Sequence, residues 1–378
     1  MILEMERDAL LRVLGHVTSV VERRTTIPIL SNVLLKASGS SLYCKATDLE
    51  REVSDAAPGH VSQPGAVTVA AHVLYDIVRK LAEGSEVAIA REVDKERLTV
   101  RAGHSIFTLQ TLAAEDFPDL AAGEFSHTFK MPAKDLQRLI DKTRFAISTE
   151  ETRYYLNGIY LHLAARGKQA TLRAVATDGH RLAHIEKTGE QFDVPGENKT
   201  LIPKKAMGEL YSLLQNSDVD QVEFAKDDAT LFFRIGERLL TSRQLTGQFP
   251  NYEAVLPRET SKSVVVRGAD LNTAIQRVAQ FADERSRAIR LKLDKNELKI
   301  SSSSTEAGES EDSIETSYTA DAMTIGFNSE YLIDFLKAQS AGEVRLEFKD
   351  AQSAGQMRPE DGSDDGFKYR YVVMPMRI

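Results

Sequence analysis

Apolar side chains recur with helical spacing at corresponding places in the chain. Residues three or four apart lie on one face of an α-helix, so such a run predicts a helix whose apolar face contacts a core. In the first stretch these residues are Leu10, Leu14, Val17 and Val20. In the last stretch they are Leu271, Ile275 and Val278. The pattern predicts one amphipathic helix near each end of the chain.

These helices belong to a threefold internal repeat. The segments Leu10–Leu14, Leu136–Ile140 and Leu271–Ile275 align with one another, and each opens a helical pattern after a short strand-like run. A second predicted helix follows in every copy, with an acidic residue at the matching position. Its segments are Val73–Ile77, Ala206–Leu210 and Tyr331–Phe335. A repeat of this length indicates three similar domains rather than a solenoid.

Between the helices lie alternating or β-branched runs that end at Gly, Asp, Asn and Ser turn signals. They include 31–36, 170–176 and 289–301. We therefore predict an α+β fold of three similar domains, 1–126, 127–258 and 259–378, each with two helices packed on antiparallel sheet. Two such chains could close into a sixfold pseudo-symmetric ring through head-to-tail interfaces, although tandem domains in a row would give the same periodicity.

The composition narrows the function. The 378 residues are 42% hydrophobic and 28% charged, which is typical of a globular protein. No apolar run reaches the length of a membrane span and the N-terminus is not a signal peptide, so we expect a cytoplasmic protein. The single Cys44 excludes a disulfide framework and a multi-cysteine zinc site; it is expected to be buried, and no metal or cofactor is expected.

The net charge of −8 argues against coating nucleic acid by bulk attraction, because that affinity comes from many Lys and Arg contacts to phosphate. Net charge does not exclude DNA, however. Basic residues gathered on one surface can still face phosphates while acidic residues elsewhere set the total.

Five strings carry a resemblance that extends over the whole chain, in order and with the three-domain spacing intact. They are Arg153–Gly158, Ala176–Ala183, Phe249–Tyr252, Ile325–Asn328 and Tyr371–Ile378. Together they resemble the β subunit of bacterial DNA polymerase III, the sliding clamp family. The resemblance implies a non-enzymatic, head-to-tail homodimeric ring of six domains that holds duplex DNA topologically, without sequence readout. Its implied partners are the replicative polymerase, a clamp loader and other proteins that carry clamp-binding peptides.

The resemblance also implies a hydrophobic pocket for those peptides. Its deeper part would consist of Leu156, Thr177, Gly179, His180, Arg181, Leu182, Pro250, Val255, Val372 and Met374. The adjoining groove would consist of Arg153, Tyr155, Asn328, Tyr331, Pro375, Met376 and Arg377. Methionine suits a surface that adapts to varied partners, although core filling would explain the two methionines equally well from composition alone.

Basic residues recur at matched positions of the predicted helices. The first helices give His16, Lys142 and Arg277 at one position and Arg12 and Arg138 at another; the second helices give Arg79 and Lys337. A solvated helix face and a DNA-facing surface both fit this recurrence. The resemblance adds Arg24 as a DNA contact. Glu150 occupies a position where relatives can carry a DNA-contacting glutamine, and the acidic side chain places that contact in doubt.

The acidic run 306–315 is predicted to form one side of the dimer interface through Glu309, Glu311 and Asp312, unless it is only a solvated loop. A basic partner would come from the last strands of the first domain. Phe107, Leu109 and Phe281 match apolar interface positions of the family. We expect such apolar contacts to contribute more than exposed ion pairs, which are worth about 0–1 kcal/mol each.

Two alternative hypotheses assign the chain to different functional classes, a hydrolase and a protein-binding scaffold. Asp178 and His180 resemble an acid–histidine pair of a hydrolase, but no serine elbow accompanies them, and the matching turn of the first copy, Ala46–Glu50, has no histidine. A three-domain scaffold that binds proteins without loading on DNA is the second alternative. Finally, the polar stretch 351–370 is expected to be a mobile loop near the pocket.

Overall fold

The computed structural model describes residues 1–92, 96–120, 126–166, 169–189, 199–215, 217–305, 307–339, 342–360 and 366–377. The chain forms two compact units. Unit 1 comprises residues 1–134 and 208–244, and unit 2 comprises residues 135–207 and 245–378. The division falls within the third and fourth α-helices, and each unit is treated separately below.

Helices in the described part of the chain come in the predicted pairs. They are α1 (Arg7–Thr18), α2 (Ala71–Lys80), α3 (Ala133–Asp141), α4 (Lys204–Gln215), α5 (Gly268–Val278) and α6 (Ser329–Gln339). Leu10, Leu14 and Val17 of α1 are fully buried, as are Leu271 and Ile275 of α5. The predicted apolar faces are therefore confirmed.

The remainder is mostly strand, as expected. The strands are β1 (Ile2–Glu6), β2 (Asn32–Ser38), β3 (Ser41–Thr47), β4 (Arg51–Pro58), β5 (His60–Gln63), β6 (Gly65–Ala70), β7 (Glu86–Glu92), β8 (Arg97–Ala102), β9 (Ser105–Leu112), β10 (Ser126–Pro132), β11 (Gly158–Arg166), β12 (Gln169–Thr177), β13 (Arg181–Gly189), β14 (Lys199–Pro203), β15 (Gln221–Lys226), β16 (Thr230–Ile235), β17 (Arg238–Arg243), β18 (Lys262–Arg267), β19 (Ala288–Asp294), β20 (Glu297–Ser304), β21 (Gly308–Glu315), β22 (Met323–Asn328), β23 (Glu343–Phe348), β24 (Gly355–Pro359) and β25 (Phe367–Val373).

Each helix begins at the residue after a strand ends. In the first helices of the repeat, β1 leads into α1, β10 into α3 and β18 into α5; in the second helices, β6 leads into α2, β14 into α4 and β22 into α6. The same strand-to-helix junction thus occurs twice in each copy. It confirms the threefold repeat read from the apolar pattern.

All described strand pairs are antiparallel. In unit 1 the strands form a sheet of order β10-β15-β16-β17-β4-β3-β2-β6-β9-β8-β7-β1-β5. Unit 2 contains a sheet of order β14-β11-β12-β13-β25-β24-β23-β18 and a smaller one of order β21-β20-β19-β22. Side chains alternate between faces of a strand, so Leu3 and Met5 of β1 enter the core while their neighbours remain exposed. The predicted α+β class is confirmed.

Cys44 lies on β3 and is fully buried, which confirms its interpretation as a structural thiol. Burial raises the pKa of this thiol because the interior disfavours a thiolate, and the nearby Asp55 acts in the same direction. No helix in the described part of the chain is long and apolar enough to cross a membrane.

The expectation of a loop throughout 351–370 is wrong for residues 367–370, which belong to β25, and for residues 355–359. Residues 355–359 form β24, which pairs with both β23 and β25. Gly355 packs so closely that an added Cβ would lie 2.9 Å from Phe327 Cζ, and Met357 is 3% exposed. Burial of apolar side chains therefore outweighs the polar composition of the stretch. Residues 361–365 lie outside the described part of the chain.

Among the strands that leave a hydrogen-bonding edge at least partly uncovered within the described residues, two carry predicted interface residues. The strand β21 is the outermost strand of its sheet and pairs with β20 alone. The strand β9 pairs with β8 along its length but meets β6 only at Thr111 and Leu112. Unpaired strand edges readily pair with another chain.

Candidate functional site

An apolar cluster in unit 2, here called the cradle, collects part of the predicted pocket. Its buried members are Leu156, Val175, Leu182, Leu201, Phe249, Tyr252 and Val372. Half-buried apolar residues pack against them: Tyr155, Tyr160, Leu245, Leu256 and Ala354. Next to this floor in the sequence, Val255 is 49% exposed and Met374 is 47% exposed. The predicted Leu156, Leu182 and Val372 therefore form the floor.

Three neighbouring strands position the floor. Leu182 of β13 lies opposite Val372 of β25 and opposite Thr177 of β12. Beyond the end of β25, the Met374 amide donates to the His180 carbonyl oxygen over 2.9 Å. The strand register thus brings together residues that are far apart in sequence.

The turn between β12 and β13, Thr177–Arg181, is built from side chains that bond to its backbone. The Thr177 hydroxyl donates to the Arg181 carbonyl oxygen (2.6 Å) and accepts from the Gly179 amide (3.1 Å). One Asp178 carboxylate oxygen accepts from the amides of His180 (2.9 Å) and Arg181 (3.1 Å). Gly179 has φ +92°, and an added Cβ would lie 2.8 Å from Arg153 Nη1. The positive φ therefore favours glycine at this position, and the turn leaves His180 exposed.

The C-terminal residues leave the sheet beside α6. Tyr371 is fully buried, stacks on Phe335 and donates its hydroxyl hydrogen to the Tyr331 carbonyl oxygen over 2.8 Å. The Met376 amide donates to the Gly326 carbonyl oxygen over 2.8 Å. The exposure of Met374 argues against the core-filling interpretation for that residue, whereas Pro375 and Met376 are half-buried and Arg377 is exposed.

The other predicted groove residues lie on the flanking segments. Arg153 donates to the Asp178 carbonyl oxygen and forms an ion pair with Glu150. The acidic side chain of Glu150 is therefore engaged by a neighbouring residue of its own unit. Tyr155 is half-buried beside the cradle. Asn328 precedes α6, and its side chain accepts from the Glu330 amide over 2.9 Å. Pro250 is exposed next to the buried Phe249.

The geometry does not favour the hydrolase alternative. Both oxygens of the Asp178 carboxylate are engaged, one by the turn amides and the other by Arg181 Nε at 3.0 Å. A general base requires a carboxylate that orients its imidazole, and Asp178 instead holds the backbone. Among the described residues there is also no group of three or more His, Cys, Asp or Glu side chains placed to hold a metal ion.

A buried polar network extends from the cradle residue Tyr252. The Tyr252 hydroxyl lies 2.9 Å from His162 Nε2 and accepts from Arg173 Nη1 over 3.3 Å. Arg173 also pairs with Glu186 at 3.0 Å and with Glu253 at 2.7 Å. Burial, followed by the positive charge of Arg173, lowers the pKa of His162 to about 4 and that of His184 to about 3. Sequence reasoning missed this network because its members lie on separate strands without a local motif.

This network predicts that the free energy of unfolding falls at acidic pH. The folded pKa values of both histidines lie below the value of about 6.5 in an unfolded chain, so the unfolded state takes up protons first as pH falls. We expect the contribution of the neutral histidines to the free energy of unfolding to be complete above pH 6.5. It should be lost as the pH falls from 6.5 to about 4 for His162 and to about 3 for His184, with a slope of up to about 1.4 kcal/mol per pH unit for each histidine.

Urea unfolding at several pH values measures this slope. His162→Gln keeps a group able to bond to the Tyr252 hydroxyl but does not titrate, so the variant should show a shallower loss over the same pH range. An identical slope in the variant and the wild type would contradict this role of His162.

The predicted DNA-facing residues of unit 1 differ in how they are engaged. Arg12 and Arg24 are exposed. The His16 ring is only 14% exposed, and its Nδ1 lies 2.7 Å from Asp55 Oδ2. Arg79 pairs with Asp76 at 2.9 Å and lies over the ring of Tyr75. His16 is thus bound into the fold, whereas the arginines remain open to solvent.

In unit 2, some of the predicted basic residues also contact their own fold. Arg138 lies over the Phe367 ring at 4.3 Å. Lys142 donates to the Ala338 carbonyl oxygen, and burial lowers its pKa. Arg277 pairs with Asp312 at 3.0 Å, and this contact joins a predicted DNA residue to a predicted interface residue. Lys337 is exposed on α6.

The predicted interface residues lie on or near the two open edges. Phe107 and Leu109 are half-buried on β9, beside Ile106, which is 60% exposed. Glu309 and Glu311 are exposed on β21, where Glu311 pairs with Lys299 at 2.8 Å. Phe281 is half-buried just after α5. The acidic run therefore forms an edge strand rather than only a solvated loop; Glu306 lies outside the described residues.

Unit 1 contains the same turn without an apolar floor. Thr47 donates to the Arg51 carbonyl oxygen (2.8 Å), and Asp48 accepts from the Arg51 amide (2.8 Å), as Thr177 and Asp178 do for Arg181 in unit 2.

Strand pairing identifies the equivalent floor positions in the two units. Arg51 lies opposite Ser242 as Arg181 lies opposite Val373, so Glu52 corresponds to Leu182 and Thr241 to Val372. Glu52 is buried and pairs with Lys45 at 3.1 Å. An ion pair therefore occupies the place of the apolar floor.

A repeated strand–helix fold with open strand edges, together with an apolar cradle in unit 2, is the arrangement of a DNA clamp that binds partner proteins. The family models for the DNA polymerase III beta subunit match in order: the N-terminal domain over residues 1–121, the central domain over 130–251 and the C-terminal domain over 253–377. The chain belongs to this family, the beta sliding clamps.

Individual relatives agree over the full length. The beta sliding clamp of Caulobacter vibrioides is 41% identical over 381 residues, which covers 100% of both chains. A crystal structure of the Caulobacter crescentus clamp has a TM-score of 0.94 at 40% identity, with 100% of this chain and 99% of that chain covered. A crystal structure of a Bartonella birtlesii clamp bound to griselimycin has a TM-score of 0.93 at 38% sequence identity, with 100% of each chain covered. The family consists of non-enzymatic processivity factors.

Proposed function

We propose that two copies of this chain form a head-to-tail ring that encircles duplex DNA, and that the cradle tethers proteins to the ring through short apolar peptides. The full-length membership in the beta sliding clamp family carries the proposal. The domain boundaries near 126 and 258, and the individual site residues, are part of it. The Bartonella birtlesii clamp bound to griselimycin supports a ligand site in this fold.

The open edges support the head-to-tail pairing. In the proposed dimer, β9 of one protomer pairs with β21 of its partner, and a heterologous contact of this kind closes a ring when its rotation is correct. Phe107, Leu109 and Phe281 would supply apolar contact area. Glu309, Glu311 and Asp312 would face the basic side chains of β8, such as Arg97 and Arg101.

The charge distribution suits a protein that slides. Tight phosphate contacts fix a protein in register, and sliding must break them continually. In the proposed ring, exposed basic side chains such as Arg12, Arg24 and Lys337 make weak, exchangeable contacts with phosphate, while the net charge of −8 limits bulk attraction. Retention then depends on topology rather than on affinity.

The proposed partners are double-stranded DNA, the replicative polymerase, a clamp loader and other proteins with clamp-binding peptides. The cradle provides a buried apolar floor beside the adaptable side chain of Met374, which suits peptides of differing sequence. A cytoplasmic location is part of the same proposal, because replication takes place there in bacteria.

Loading on circular DNA tests the proposal. With a clamp loader and ATP, we expect the protein to remain on a nicked circular plasmid through gel filtration and to be released when a restriction enzyme linearises the plasmid. Release occurs because a ring slides off a free end. Equal retention on circular and linear DNA would indicate ordinary binding, and no retention on either would favour a scaffold that does not load.

A further inference from the structure

The side chain of Arg181 connects the Thr177–Arg181 turn, which borders the cradle, to α6 and to the backbone of Phe145. Its guanidinium donates from Nε to Asp178 (3.0 Å), from Nη1 to Asp334 of α6 (2.6 Å) and from Nη2 to the Phe145 carbonyl oxygen (2.7 Å). Its plane lies over the Tyr331 ring, 4.5 Å from the centroid. The side chain is 10% exposed, so little of it is accessible to a ligand.

We propose that Arg181 is a positioning residue of the cradle, which sets the Thr177–Arg181 turn and the start of α6 at the spacing that a partner peptide needs. The proposal rests on the proposed function, since it concerns how the same site is held in shape. Arg181 then borders the deeper part of the pocket and acts mainly through the residues that it fixes.

The contacts of Arg181 reach both halves of the site. The turn supplies the His180 carbonyl oxygen that holds Met374, and Leu182 of the floor follows Arg181 directly. On the other side, α6 carries Tyr331, whose carbonyl oxygen accepts from Tyr371. A change at Arg181 would therefore shift the floor relative to the groove.

Only a guanidinium can satisfy these partners together. Its planar fork donates in fixed directions while its face stacks on an aromatic ring, whereas an ammonium is a point charge without a flat face. A buried charge that loses partners is costly, because the carboxylates left behind are not resolvated. Arg181→Lys should thus keep the charge and lose the geometry.

The repeat supplies a matched control. Arg51 donates from Nε to Asp48 over 3.1 Å, lies 3.9 Å from Glu209 of α4 and is 12% exposed. It is the last residue of the equivalent turn, but the next residue is Glu52 rather than a floor leucine. Arg51→Lys therefore removes the equivalent guanidinium from the unit 1 turn, which does not border the cradle of unit 2.

The test compares Arg181→Lys with Arg51→Lys in thermal unfolding and in binding of a fluorescent octapeptide with adjacent Leu and Phe. We expect both variants to lose thermal stability, and only Arg181→Lys to weaken peptide binding, by at least tenfold, at a temperature where both are folded. Asp334→Asn preserves the shape of one partner of Arg181 and removes its charge, so it should weaken peptide binding by a smaller factor. If Arg181→Lys does not fold, Asp334→Asn provides the test in its place.

Leu182→Ala separates the two proposals. If it binds the peptide as wild type does, the cradle is not the peptide site and the proposed function fails. If it loses binding while Arg181→Lys and Asp334→Asn keep wild-type affinity, the cradle stands and the role of Arg181 is wrong. Equal weakening by Arg51→Lys and Arg181→Lys would also overturn the inference, because the effect would then be global.

Discussion

Replacing Phe281 by aspartate should convert the dimer to monomers at micromolar concentration. The proposed interface covers this half-buried ring, and burying an unpaired carboxylate there costs several kcal/mol, because the charge loses water without gaining a partner. We expect a dissociation constant raised at least about 100-fold, which corresponds to about 2.7 kcal/mol. Sedimentation equilibrium should give a mass of twice 42.0 kDa for the wild type and 42.0 kDa for the variant.

Tyr43→Asp provides the control. Tyr43 is 50% exposed on β3, away from the two open edges, so the same carboxylate placed there should leave the dimer intact. A Phe281→Asp variant that sediments as a dimer, with circular dichroism like that of the wild type, would remove Phe281 from the interface.

Replacing Met374 and Met376 together by alanine should weaken the binding of a polymerase peptide about 10- to 100-fold, equivalent to about 1.4–2.7 kcal/mol. Both residues follow the last strand, and truncating them removes apolar contact area from the proposed site without opening a core cavity. Fluorescence anisotropy with a labelled peptide measures the change, and sedimentation should show an unaltered dimer.

Val73→Ala is the matched control for that change. Val73 is 48% exposed on α2 and Met374 is 47% exposed, so Val73→Ala removes an apolar side chain as exposed as the first of the two methionines. Only the methionine variant should lose affinity. Unchanged peptide affinity in that variant would show that the C-terminal segment does not border the site.

The sequence predicted the parts of the fold that depend on local periodicity. The apolar spacing in α1 and α5 located both helices, because a helix packed on a sheet must bury one continuous face. The matched segments of the repeat likewise predicted the strand-to-helix junctions of the three first helices and the presence of the three second helices. By contrast, the β24 strand was missed, since its burial depends on Phe327 and Phe348, which are distant in sequence.

For the site, the resemblance named Leu156, Leu182 and Val372, and the structure brings them together. Sequence reasoning did not predict that His16 would pair with Asp55 or that Arg277 would pair with Asp312. Both contacts depend on which face a helix presents to a neighbouring strand, and the matched spacing of basic residues does not contain that information. The buried network around Tyr252 was missed for a related reason, since strand register alone joins its members.

The ion pair between Lys45 and Glu52 has a consequence for how partners share the molecule. Because it fills the place of the apolar floor in unit 1, proteins that use the same kind of peptide would compete for the cradle of unit 2 in the proposed clamp. Two such proteins would then exclude one another on a single protomer. The order in which partners bind is then determined by their local concentration, affinity and residence time rather than by separate binding sites on the protein.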